Sequence, residues 1–585
     1  MNEEHEMTES MTDARTGNAG RATAPIPPAP FTKPRPGSWT LDAAHCERPM
    51  PRFVNGVFEE SFARGFREGL EAYGALLETI EAALVNGFVY SCVRPIGAPA
   101  EPKGAPPKAV FKLLTRLHPE LRRRVRRSEQ SMNERIWRHE LELYRTVWAP
   151  PVDREAQRLL GLALSDLDDE ALVAEIEASY RHMKDSTYVH HRMNCSRIIP
   201  VGDFMAHAKE WTGASVFEIL EALRGASPDS RTGLAEMMKV VELVRNDADT
   251  RSDLERTDDP AAFIDSLEAR ADALGDATRE WMAMVGHSLT GFSPGYPTLR
   301  ETPSTLVEAL RGALAAGRAD DAARAGARAF DRLRSRVPAE HRAAFDELYA
   351  EARDLYHMRD HLAFHSLRSF GAVRLVVLEA GRRLAVRGRL HEPEAALDAT
   401  TSELRAMLLG EGGPSADDVQ RHLEWRRTAT SEHAPELIGP APGSPPPDDW
   451  LPKGAVRLQR AVTTYLGAMS DESRESGSRA LVRGLAASGG KRTGIARLVL
   501  NPGDFDRIEQ GDILVARITT PAFNILLPLL SGIVTDRGGV LSHPAIVSRE
   551  YGIPGVVGAR NATTLISDGA LVEIDGDAGT VRVLS

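Results

Sequence analysis

The sequence predicts a multidomain chain, a large all-α domain followed by a small α/β domain, and three observations predict it. Leu, Ala, Ile and Val recur at three- and four-residue intervals from about residue 38 to 434, with little strand-like alternation. A Pro/Gly-rich stretch, PELIGPAPGSPPPDDWLPKG, then covers 435–454. Beyond it the composition changes to short apolar runs bounded by glycine: ARLVL, DILVARI, GIVTD, GVVGA, LVEID and TVRVL. A chain of 585 residues exceeds what one hydrophobic core serves, which agrees with more than one domain.

In order along the chain, residues 1–37 are polar and then proline-dense, the pattern of an extended or disordered leader. Residues 38–434 read as successive helices. Examples are FEESFARGFREGLEAYGALLETIEAALVNG, SDLDDEALVAEIEASYRHM, with Ser165 ahead of acidic residues in a first turn, and GAVRLVVLEAGRRLAVRG, where Gly381 and Gly388 interrupt or end the pattern. Residues 94–108 form a loop. Residues 435–487 read as a linker and a connecting helix, and 488–585 as a compact α/β unit closed by a hairpin at Gly576-Asp577-Ala578-Gly579.

Composition narrows the function classes. Hydrophobic residues at 42% and charged residues at 26% describe a globular protein. No apolar run approaches the ~20 residues that span a bilayer, and the N-terminus lacks the order of a signal peptide, so a cytoplasmic location and no membrane association are expected. Three scattered cysteines indicate reduced thiols without a disulfide framework or zinc ribbon. The net charge of -11 argues against nucleic acid as a partner. One basic run, Arg122, Arg123, Arg124, Arg126 and Arg127, is either a solvated helix face or a docking patch for an acidic partner or nucleotide phosphates.

The segment TDRGGVLSHPAIVSREYGIPGVVG, Thr535 to Gly558, carries the chemistry. Gly538 and Gly539 permit a tight approach, Ser542 is a good N-cap, Pro544 suits the first helical turn, and the helix should run to Gly552. His543 then stands at a helix N-terminus, where free amides and the macrodipole favour a phosphoryl group on the imidazole. Gly538, Gly539 and Ser542 are candidate phosphate contacts, with Arg537 in the approach loop and Arg549 further along the helix. A histidine merely capping a helix is the plain alternative. The glycine-rich GLAASGGKRTG from Gly484 fails the phosphate-loop spacing, since Gly490 stands where Lys is needed, and reads as a turn entering the first strand.

These residues resemble the swivelling phosphohistidine domain of the PEP-utilising enzymes, which include phosphoenolpyruvate synthase, pyruvate phosphate dikinase and rifampicin phosphotransferase. The resemblance runs from about Gly489 to the C-terminus, and it implies that His543 is the phosphoryl carrier. Leu541 replaces the regulatory threonine of the dikinases and is similar to the antibiotic phosphotransferases. SWTLDAAHCERPMPRF and RDHLAFHSLRSFGAVRLVVLEAGRRLAVRGRLHEPEAAL resemble, more loosely, the acceptor-binding domain of the latter.

Related one-chain enzymes carry an ATP-grasp module that this sequence does not display. The resemblance therefore implies one subunit of a split phosphotransferase, similar to phenylphosphate synthase, with ATP and Mg2+ bound by an ATP-grasp partner. It implies ping-pong transfer of the β-phosphoryl group to a hydroxyl of a small, aromatic or polycyclic acceptor on the helices. Candidate acceptor residues are His190, His191 and Arg192, and a second set, His361 and His365, which with His357 repeats every four residues on one helix face. That face reads either as a cleft lining or as a polar surface, and no metal site is assigned. Two alternatives remain: a non-catalytic ligand-binding or regulatory protein on a retained swivelling fold, and a phosphoenolpyruvate- or pyruvate-using enzyme.

Overall fold

The computed structural model describes residues 26–584, except 44–45, 100, 102–103, 229–232, 316–321, 470–477 and 479. The leader expected over 1–37 lies outside the described residues as far as residue 25. Residues 26–37 run along a sheet, where Asn86 Nδ2 donates to the Ala29 carbonyl at 2.7 Å and Trp39 Nε1 to that of Arg35 at 2.9 Å.

Helices dominate up to Met469, and strands dominate after it. Within the helical part the sequence reading needs one correction. The run read as helix from Phe58 to Gly87 is helical only as far as Tyr73, and then forms a hairpin. Strands β1 (Trp39–Leu41), β2 (Leu77–Val85), β3 (Phe88–Pro95) and β4 (Leu437–Ile438) make a four-stranded antiparallel sheet in the order β2-β3-β1-β4. Asn86 (φ 50°) and Gly87 (φ 81°) turn the hairpin, a two-residue turn with positive φ at both positions that matches the twist of the flanking strands. Packing won over helix propensity here, because Ala83, Val85, Phe88 and Tyr90 are buried as strand residues in one cluster with Trp39 and Trp425.

The helix Asp169–Arg192 starts at Asp168, whose carboxylate accepts from Ala171 N at 2.8 Å, rather than at Ser165. The 29-residue helix Met358–Val386 runs through Gly381 and ends two residues before Gly388 (φ 67°), which takes the left-handed conformation. The proline-rich 435–454 segment is held at its start by β4 and by the Tyr90 hydroxyl on the Pro435 carbonyl, and is exposed over 439–445. The helix Lys453–Met469 packs along the helix Asn194–Thr212, where Arg457 pairs with buried Asp203 at 2.6 Å.

The C-terminal unit is an eight-stranded mixed sheet. Its strands are β5 (Leu481–Arg483), β6 (Leu485–Ser488), β7 (Lys491–Val499), β8 (Ile513–Ala516), β9 (Gly532–Thr535), β10 (Gly555–Val557), β11 (Leu571–Asp575) and β12 (Thr580–Val583), in the order β5-β12-β11-β7-β8-β9-β10-β6. Strands β7 to β10 are mutually parallel, and β11-β12 is the expected hairpin. GLAASGGKRTG lies on β6 and its turn into β7, so β5 and β6 already belong to this sheet.

Successive residues of a strand point to opposite faces, and both faces of β8 are buried. Ile513 and Val515 face a core internal to the sheet unit, with Val534, Val556 and Ile574. Leu514 and Ala516 face a second cluster, which continues through Leu526, Leu527 and Leu529 into Val285, Leu306 and Leu310 of the helical part. The sheet unit thus sits on the helices through an apolar contact.

Candidate functional site

Strand β9 delivers the chain to the boundary between the two parts. Its last residue, Thr535, donates through Oγ1 to the Arg537 carbonyl at 2.9 Å, and the Asp536 carboxylate accepts from both the N–H and the hydroxyl of Thr563. Burial raises the Asp536 pKa, and the Thr563 bonds lower it only in part. The approach loop is therefore tied down before it reaches the glycines. Gly538 has φ 107°, a conformation that disfavours a side chain. Gly539 lies so close to the end of the helix Lys453–Met469 that a Cβ there would be 2.4 Å from the Ala468 carbonyl oxygen.

Ser542 has the extended backbone of an N-cap, and the helix His543–Tyr551 follows, ending at Gly552 with φ 69°. Pro544 sits in its first turn, as its fixed φ and missing N–H allow. The Ser542 hydroxyl is buried and makes no hydrogen bond as a cap, and neither ring nitrogen of His543 has a hydrogen-bond partner. Three adjacent polar atoms are thus unsatisfied at a helix N-terminus.

His543 is 4% exposed. Its Nδ1 lies 3.6 Å from Oδ1 of Asp360, in the first turn of the helix Met358–Val386. Asp360 is itself 2% exposed, and its other oxygen accepts from the Ser227 hydroxyl at 3.0 Å. Burial works against ionisation of Asp360, yet His543, Arg359 and Ser227 outweigh it and hold the carboxyl below the ordinary carboxylate range.

Arg549 is buried and directed away from a phosphate role in this arrangement. It donates to the carbonyls of Ala487 at 2.7 Å and Val540 at 2.9 Å, and to the Tyr356 hydroxyl at 2.9 Å. Burial, partly offset by Arg549, pushes that hydroxyl up to about 12. Arg537 is half-buried in the approach loop. Further polar contacts close the boundary: Glu550 Oε1 accepts from Gly225 N at 2.8 Å, Arg517 pairs with Glu47 at 2.6 Å, and Thr520 Oγ1 donates to the Thr290 carbonyl at 3.0 Å.

The acceptor candidates, separate in sequence, meet in one cluster. His190 Nδ1 is 3.0 Å from Ser366 Oγ, which joins the end of one helix to the His357-His361-His365 face of the other. His365 Nδ1 is 3.0 Å from Asp153 Oδ1, and the His361 and His365 rings are 4.3 Å apart. His361 meets Tyr144 edge-on at 5.7 Å, and His191 lies 4.1 Å from the Phe62 ring and stacks on Phe66 at 5.4 Å. Arg192 is buried, paired with Glu140 at 2.6 Å and set over the Trp148 ring at 5.0 Å. The cluster is polar at its centre and aromatic at its rim. Among the described residues no group of three or more His, Cys, Asp or Glu could hold a metal ion.

Sequence reasoning missed Asp360, Ser227 and Tyr356. Asp360 stands in the quoted run RDHLAFH, but an acidic residue in a first helical turn has a plain dipole explanation. Ser227 and Tyr356 carried no local signal.

Comparison with known proteins fits this geometry. Residues 508–579 match the PEP-utilising enzyme mobile domain, and residues 198–360 match the rifampicin phosphotransferase fourth domain, so the His543–Asp360 contact joins the two matched segments. A rifampicin phosphotransferase of Streptomyces sp is 28% identical over 401 residues, 64% of this chain and 42% of that protein. The uncharacterized phosphotransferase YvkC of Bacillus subtilis is 30% identical over 245 residues, 42% of this chain and 28% of that one. Chondramide synthase cmdD of Chondromyces crocatus is 26% identical over 577 residues, 93% of this chain but 14% of the synthase. The chain spans less than half the length of each of these relatives. It resembles the PEP-utilising enzymes in its mobile domain and the rifampicin phosphotransferases in its helical part.

Proposed function

We propose that this chain is a phosphotransferase component in which His543 carries a phosphoryl group from ATP, bound with Mg2+ by a separate ATP-grasp protein, to a hydroxyl of a small acceptor held by the helices. The observation that carries this reading is a histidine at a helix N-terminus whose Nε2 has no hydrogen-bond partner and whose Nδ1 faces the Asp360 carboxylate at 3.6 Å. It is buried, and the side chain that faces its ring across the boundary is Asp360 of the helical part. Separation of the two parts would expose it to a donor, and docking would return it to the helices. Neutral imidazole attacks phosphorus, and the helix amides with the Ser542 hydroxyl are placed to accept the charge of the transferred group.

The acceptor would lie toward the histidine cluster, which begins one residue along the helix from Asp360. Its aromatic rim, Phe62, Phe66, Tyr144 and Trp148, suits a flat hydroxylated molecule. The docked arrangement seen here would then be the delivery state.

The test is incubation of the full chain with an ATP-grasp protein and ATP labelled at the β-phosphorus. The expected result is an acid-labile, alkali-stable label on the peptide containing His543, which is absent in His543→Ala. A labelled His543→Ala chain would sink the reading.

A further inference from the structure

We infer that Asp360 is the positioning residue that fixes the tautomer of the His543 ring while the two parts are docked, holding its proton on Nδ1 so that Nε2 is the nitrogen that hands the phosphoryl group to the acceptor. This rests on the carrier reading above. Of the two carboxylate oxygens, Oδ2 is taken by the Ser227 hydroxyl, and Oδ1 faces His543 Nδ1 at 3.6 Å, just beyond hydrogen-bond length. Both groups are buried, so a carboxylate with no proton of its own meets the ring nitrogen in a medium that screens little. Arg359, 3.9 Å from Oδ1, keeps that carboxylate ionised, and Arg197 and Tyr356 also lie within electrostatic range of it.

An ionised carboxylate accepts hydrogen bonds only, so it selects the tautomer with hydrogen on Nδ1. It also excludes the other isomer, because a phosphoryl group on Nδ1 would set its oxygens against Asp360. With the phosphoryl group on Nε2 and hydrogen on Nδ1 the leaving group is neutral. The acceptor oxygen forms the new O–P bond, the Nε2–P bond breaks with its electron pair returning to Nε2, and the hydroxyl proton ends on that nitrogen. The product imidazolium lies beside the Asp360 carboxylate.

The experiment uses the full chain labelled with 15N-histidine, the His543 signals being those lost in His543→Asn, and potassium phosphoramidate as a chemical phosphoryl donor. Wild type should show the Nδ1–H tautomer favoured by about tenfold or more, the effect of a unit charge this close to the N–H where little screens it, and phosphorus on Nε2. Asp360→Ala should return the tautomer ratio toward that of free histidine and admit the Nδ1-phosphorylated isomer. Asp360→Glu should restore both readouts, and Ser227→Ala, which frees the carboxylate to rotate, should shift the ratio in the same direction as Asp360→Ala. An unchanged tautomer and isomer in Asp360→Ala overturns the proposal. So does an unchanged ratio in Ser227→Ala if Asp360→Ala does not fold. A wild-type chain that shows the Nδ1–H tautomer but takes no phosphorus on His543 sinks the carrier reading instead.

Discussion

Arg549 Nη2 reaches across the boundary between the two parts of the molecule and donates to the Tyr356 hydroxyl at 2.9 Å. The same guanidinium holds Ala487 and Val540 within its own unit, so the helix bearing His543 is fixed to its sheet and to its neighbour by one side chain. Only one of those three bonds crosses the boundary, which makes it removable without dismantling the sheet unit. Tyr356→Phe should weaken docking by about 1.5–3 kcal/mol, the range for a hydrogen bond to a charged group. Hydrogen exchange over residues 543–551 should quicken while the β7 to β10 amides stay protected. Equal exchange in the two proteins would contradict this.

Gly539 offers a second way to separate docking from folding. Its φ is negative, so alanine strains nothing locally, but the new Cβ would sit 2.4 Å from the Ala468 carbonyl oxygen. Backbone at the end of a packed helix yields poorly, and the approach loop should lift from the helical part. Gly539→Ala should therefore make His543 modifiable by diethyl pyrocarbonate at a rate well above wild type, as read from the His543 peptide. A histidine that stays equally protected would show that the loop adjusts.

Lifting the sheet unit has a cost that the apolar contact sets. Leu527 and Leu529 are almost fully buried there, and each such side chain is worth about 1.5–3 kcal/mol of burial. A swing toward a donor needs that surface covered again in the other position, which a partner protein would do.

Much of the sheet unit was legible because its signals are local. The Ser542-His543-Pro544 start, the Gly552 stop and the Gly576–Gly579 hairpin each follow from the conformational limits of a few neighbouring residues. The first sheet shows where such reading fails. Leu77–Val85 is rich in Glu, Ala and Leu and continues a helical period, yet Asn86-Gly87 followed by FVYSCV was a hairpin signal in plain view. The partner of His543 could not be read at all. Asp360 is distant in sequence, and its significance comes only from burial and from Ser227 occupying its second oxygen.

Acid should destabilise the helical part through His182. Burial outweighs the pull of Glu155 and Asp153 and lowers its pKa to about 4, below the ordinary value near 6.5. The folded state therefore binds fewer protons than the unfolded state between these values. The stability contribution is complete above about pH 6.5, falls as the pH drops, and has lost about 3 kcal/mol by pH 4. His182→Gln should flatten the fall in Tm across that window in calorimetry. An unchanged slope would assign the acid sensitivity to other groups, among them His287, which burial also lowers to about 4.

The histidine cluster makes the last prediction, because it divides binding from carriage. His190 on Ser366 and His365 on Asp153 cross-link three helical segments around an aromatic rim. If the acceptor sits among these rings, His365→Ala or His190→Ala removes a polar contact to it and leaves the carrier intact. Label on His543 from an ATP-grasp donor should then form at the wild-type rate, while transfer onward shows a KM raised by about tenfold for each contact worth 1.4 kcal/mol. His543→Ala should give the reverse: no label, with acceptor binding retained in calorimetric titration. A His365→Ala chain that loses the label would place this cluster in donor docking, and unchanged transfer in both variants would move the acceptor elsewhere on the helices.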